Sequence, residues 1–99
     1  MLSEELVTEA LKGVYDPELN YNIVDLGLVY DVEVKDGDVH ILFTLTFPGC
    51  PIAPMLIEQI QENVRLLPGV KDVDVELTFD PPWSPEMMNE EARADLGLD

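Results

Sequence analysis

Ninety-nine residues carry 21 Asp and Glu against five Lys and Arg, a formal net charge of −16. Chains of this length usually build one core, so residues 1–99 are expected to form a single domain, and a lone Cys excludes an internal disulfide and the secreted scaffolds that depend on one. Every quarter of the chain is net negative, so no stretch could neutralise nucleic-acid phosphates or an anionic membrane surface, and most of the acids read as solubilising charge.

The start, Met1-Leu2-Ser3-Glu4-Glu5, has neither the basic stretch nor the apolar run of a signal peptide. No apolar run approaches the ~18 residues of a membrane span either, and a cytoplasmic setting is expected. The first predicted element is a helix over 3–12. Ser3 is placed to cap it, Glu4 and Glu5 suit its positive end, and Leu6, Val7, Ala10, Leu11 and Val14 form one stripe. Residues 15–22 read as a loop, with Pro17 forcing extended or turn geometry on its neighbours. Three runs with period two follow. In the first, Leu28, Tyr30, Val32 and Val34 oppose Val29, Asp31, Glu33 and Lys35. Asp36-Gly37-Asp38 turns the chain, so the second strand returns antiparallel, with Val39, Ile41, Phe43, Leu45 and Phe47 against His40, Leu42, Thr44 and Thr46. The third strand spans 70–79, with Val73, Val75, Leu77 and Phe79 against Asp72, Asp74, Glu76 and Thr78. Between the second and third lies a helix over 53–67, with Pro54 in its first turn, Pro68-Gly69 at its end, and Leu56, Ile57, Ile60, Val64 and Leu67 buried. Asp80-Pro81-Pro82-Trp83 is expected to be extended and rigid, followed by a short helix from Ser84 to about Asp95 with Met88, Ala92 and Leu96 on one side. The expected fold is α+β: a two-layer α-β-β-α-β-α domain whose three-stranded mixed sheet carries its helices mainly on one face. Strand order stays open, because the crossover from the second to the third strand does not require adjacency.

Chemistry concentrates in Phe47-Pro48-Gly49-Cys50-Pro51-Ile52-Ala53-Pro54. The only thiol stands where a strand gives way to a helix, and unpaired amides with the helix dipole favour a thiolate there. Gly49 permits a tight turn and the prolines stiffen it. A reactive or metal-binding Cys50 and a small buried apolar Cys50 both fit this pattern. His40 is excluded as its base, since the strand from His40 to Phe47 alone spans about 23 Å against a hydrogen-bond reach of ~3 Å. Asp16 and Glu18 remain as carboxylate partners, although ordinary turn chemistry around Pro17 is the favoured reading of them. One Cys and one His cannot build a four-ligand zinc site, and one thiol cannot hold an iron–sulfur cluster unaided.

Four ordered motifs carry a resemblance. They are 14–19 (Val-Tyr-Asp-Pro-Glu-Leu), 23–30 (Ile-Val-Asp-Leu-Gly-Leu-Val-Tyr), 44–51 (Thr-Leu-Thr-Phe-Pro-Gly-Cys-Pro) and 77–85 (Leu-Thr-Phe-Asp-Pro-Pro-Trp-Ser-Pro). With them the chain, over 4–97, resembles the metal–sulfur cluster assembly family of small acidic α+β domains, the SufT/PaaD-like group once known only as a domain of unknown function. The resemblance implies a non-enzymatic iron–sulfur cluster maturation factor, acting as carrier, scaffold partner or targeting adaptor for apo-proteins. It implies Cys50 as the cluster- or metal-binding atom, and a pocket of Asp16, Glu18, Leu19, Thr46 and Gly49. The cargo, an iron–sulfur cluster or iron, would be held transiently, with further ligands from a partner or a second subunit. Implied partners are the cluster scaffold and apo-clients. A homodimer would pair two Cys50 thiols only if that loop formed its interface. Phe47 stands where many relatives have a second threonine, and the chain lacks the cysteine-rich tail of relatives that serve phenylacetyl-CoA epoxidation. An alternative of a different class is a cysteine-independent docking adaptor, including an accessory subunit of a multicomponent oxygenase, using the acidic face and the Pro-Pro-Trp segment. A thiol enzyme with Asp16 or Glu18 as proton partner is the third reading, and the least favoured.

Overall fold

A computed structural model describes residues 2–46 and 52–97. The chain runs α1 (Glu4–Leu11), β1 (Tyr15–Asp16), β2 (Tyr21–Asn22), β3 (Val29–Lys35), β4 (Asp38–Phe43), α2 (Ala53–Arg65), β5 (Asp72–Leu77), a 3₁₀ turn (Pro85–Met87) and α3 (Glu90–Asp95). The main sheet has the order β3-β4-β5, with β4 antiparallel to β3 and parallel to β5. The mixed three-stranded α+β architecture read from the sequence is therefore the observed one, and the strand order it left open is settled.

Local chemistry explains each main element. Ser3 caps α1, its Oγ accepting from the Leu6 amide at 3.2 Å. Asp36 and Gly37 both take positive φ, 51° and 90°, which is the two-residue turn that joins strands of native twist. The Gly37 carbonyl also receives the Lys71 amide at 2.7 Å, pinning the start of β5 beside the hairpin. In α2, Leu56, Ile60 and Val64 recur every four residues and are all fully buried.

Strand pleating divides the sheet into two unlike faces. Val39, Ile41 and Phe43 of β4 point inward, where α1 packs on β3 and α2 on β5. The other face carries three aligned rows: Asp31-Leu42-Glu76, Glu33-His40-Asp74 and Lys35-Asp38-Asp72. This polar face is open to solvent over its acids, as the alternation predicted.

Several expectations need correction: the third strand stops at Leu77, and Phe79, expected on its inward side, is exposed. The 15–22 segment is not merely a loop but a small antiparallel hairpin, in which Tyr15 pairs with Asn22 and Asp16 with Tyr21. Leu6 was placed in the apolar stripe of α1 but is 43% exposed, because only Val7 and Leu11 reach the core. β4 ends at Phe43, so Thr44 is not on the polar face: it is fully buried, and its amide turns to the Leu28 carbonyl at 2.8 Å. The C-terminal helix is broken in two, since Met88 is extended and Asn89 caps α3 afresh by accepting from the Ala92 amide at 2.8 Å. Expectations for Phe47, Gly49 and Cys50 lie outside the described residues.

Candidate functional site

Asp16 is the chemically distinctive side chain. It is fully buried in β1, beside Pro17. Its Oδ1 accepts from the Glu18 amide at 2.8 Å and the Leu19 amide at 3.3 Å, and its carbonyl accepts from the Asn20 amide at 2.7 Å. This is the turn chemistry an Asp before Pro favours. It occupies only one carboxylate oxygen. Oδ2 is buried and has no hydrogen-bond partner among the described residues. A buried polar atom left without a partner is costly and uncommon, so its retention calls for a reason beyond the turn.

A ladder of backbone bonds joins this turn to the end of β4. The Ile23 amide donates to Val14 at 3.0 Å, the Leu28 amide to Ile23 at 3.0 Å, and the Thr44 amide to Leu28 at 2.8 Å. Phe43 in turn accepts from the Thr78 amide at 2.9 Å. Three of the four sequence motifs, together with the start of the last, are thereby laced side by side. Leu19 packs against the core, Glu18 is exposed, and Thr46 is half-buried just beyond β4. Asp16, Glu18 and Leu19 are thus brought together by one turn, and Thr46 follows the strand end tied to that turn. Gly49 and Cys50 belong to the stretch between Thr46 and α2 that lies outside the described residues. Among the described residues no side chain caps the N-terminus of α2, and Pro54 occupies its first turn.

Elsewhere the acids do ordinary work. His40 Nε2 lies 3.1 Å from Glu76 Oε1 and 3.7 Å from Asp74 Oδ2 on the open face, far along β4 from Thr46. Among the described residues no group of three or more His, Cys, Asp or Glu side chains is arranged to hold a metal ion. No helix in them is long and apolar enough to cross a membrane. Trp83 anchors the segment after β5, its indole Nε1 donating to the Leu26 carbonyl at 2.7 Å. Thr44, expected on the polar side of the second strand, is instead a buried polar group.

The family model for iron-sulfur cluster assembly proteins matches residues 4–77. The chain is 47% identical over 97 residues to a protein of Porphyromonas gingivalis named Fe-S protein maturation auxiliary factor, covering 97% of this chain and 92% of that protein. It is 44% identical over 96 residues to the Bacillus subtilis Fe-S protein maturation auxiliary factor YitW, covering 96% and 94% of the two chains. A solved domain of unknown function from Bacillus anthracis superposes with a TM-score of 0.92 at 36% identity, over 97% of this chain and 92% of that one. With the motifs, the mixed sheet and the matched length all in agreement, the chain belongs to the iron-sulfur cluster assembly protein family.

Proposed function

We propose that this chain is a non-catalytic maturation factor that handles an iron–sulfur cluster or iron as cargo through Cys50, in the cytoplasm, between a cluster scaffold and apo-clients. Cys50 stands three residues before the first residue of α2, whose end no side chain caps among the described residues. Amides and dipole at such an end stabilise a thiolate, the form that ligates iron. Asp16, Glu18, Leu19, Thr46 and Gly49 form the surrounding pocket in this reading. A single thiol leaves most iron coordination sites unfilled, so the partner protein, or a second copy of the chain, supplies the others and the hold is transient. The single observation that carries the proposal is the buried Asp16 carboxylate. One oxygen builds the turn, the other has no partner among the described residues. The turn is laced by backbone bonds to the strand end from which the chain runs on to Cys50.

Anaerobic reconstitution with iron and sulfide tests it. Wild type, alone or with a cluster scaffold, is expected to gain cluster absorption that Cys50→Ser loses. Equal behaviour of the two proteins contradicts the role of the thiol. The open acidic face favours a second reading, a docking adaptor in which Cys50 is structural. Client capture unchanged by Cys50→Ala but lost on charge reversal along that face would select it.

A further inference from the structure

Residues 80–97 lie beyond the segment matched by the family model, yet five contacts, among others, tie them to the rest of the chain. The Pro81 carbonyl accepts from the Tyr30 hydroxyl at 2.7 Å, and Trp83 Nε1 donates to Leu26 at 2.7 Å. The Met87 carbonyl rests on Gly27, so closely that any Cβ there would collide with it. The Asn89 amide donates to Asp25 at 3.0 Å, and the Tyr21 hydroxyl donates to Asp95 Oδ2 at 2.8 Å. Met88 and Ala92 are buried in the core between these points.

All five contacts land on residues 21–30. That segment is the middle of the ladder that holds the candidate site: Tyr21 pairs with Asp16, Ile23 bonds to Val14, and Leu28 receives the Thr44 amide. The strap therefore braces the segment from which both the Asp16 turn and Thr44 hang. Trp83 is its best-placed anchor, because a part-buried indole N–H on a carbonyl gives one direction where packing alone would allow sliding.

We infer that Trp83 is a positioning residue for the Asp16 turn, acting through Leu26 and the 21–30 segment. The inference rests on the proposed function only in giving that turn a purpose. The experiment is residue-resolved hydrogen exchange of the full chain, comparing wild type with Trp83→Phe, which keeps an aromatic ring and removes the N–H. The Glu18 and Leu19 amides, which exchange through local opening of the Asp16 turn, are expected to exchange about tenfold faster, the scale of one lost hydrogen bond. A merely structural Trp83 would speed only slow core amides such as Ile60 and Val64, and unchanged exchange at Glu18 and Leu19 overturns the inference. Asp95→Ala cuts the outermost anchor alone, and serves if Trp83→Phe does not fold. A smaller rise at the same two amides is expected, and no rise overturns the inference. Activation of an apo iron–sulfur protein is measured alongside with wild type. Its failure contradicts the functional reading and leaves the exchange result intact, so the two are told apart.

Discussion

Two regions of the molecule use carboxylates in opposite ways. On the open sheet face Asp31, Glu33, Asp38, Asp72, Asp74 and Glu76 stand in solvent, with Lys35 and His40 beside them. At the hairpin end one carboxyl group, that of Asp16, is fully buried, and one of its oxygens has no partner among the described residues. Exposed acids repel one another weakly through water and salt, so a sheet face can carry many of them at little cost to the fold. A buried carboxylate is another matter, because leaving one oxygen unbonded costs what the turn alone does not return. Abundance of charge is therefore a poor guide to the proposed site. Burial of one carboxyl group is the better one.

That contrast can be broken by mutation. Asp16→Ala removes the acceptor for two amides and is expected to cost about 1–3 kcal/mol in urea denaturation. Asp16→Asn keeps an oxygen facing Glu18 and Leu19 and replaces only the unpartnered one, so its stability should stay within about 1 kcal/mol of wild type. Equal losses in both variants would mean that the second oxygen does structural work, and the comparison would fail.

An exposed acid placed in a specific contact is the intermediate case. Asp95 accepts a hydrogen bond from Tyr21, and this bond raises the Tyr21 pKa from 10.0 to about 12, with burial and the nearby charges of Asp95, Glu91 and Asp25 adding to it. The neutral phenol is the form the folded chain favours. The contact therefore supports the fold fully below pH 10 and loses that support as pH rises through about 12. Ultraviolet titration should show Tyr21 ionising at about pH 12, and Asp95→Ala should bring it down; an ionisation unchanged by the substitution would remove Asp95 as its main cause. The smallest effect belongs to the open face. Glu76→Gln, which cancels an exposed partner of His40, should change stability by no more than about 0.5 kcal/mol, and a larger loss would show that this face is not the inexpensive one.

Much of the fold was legible because its signals are local and repeated. β4 alternates Val39, Ile41 and Phe43 against His40 and Leu42, and α2 repeats Leu56, Ile60 and Val64, so one buried face defines each. The hairpin of β1 and β2 escaped because two residues per strand are too few to show a period. Thr44 escaped because the strand is broken by a bond to Leu28, opposite the irregularity between Val29 and Asp31, and alternation carries no trace of either. The strap was half legible. Its prolines announced rigidity, but the partner of Trp83 lies 57 residues away and only the folded chain brings it near. At the site, the motif around Asp16 was readable as turn chemistry, and that is what Oδ1 does; the unpartnered Oδ2 is a property of packing, which no local pattern encodes.

The most direct measurement is anaerobic activation of an apo iron–sulfur protein by wild type, Cys50→Ser and Asp16→Asn, each first shown to be folded. Wild type is expected to activate it, Cys50→Ser to lose that activation, and Asp16→Asn to be reduced at least about tenfold despite native stability, the size of one lost charged contact. Full activation by both variants would contradict the proposed role of both residues.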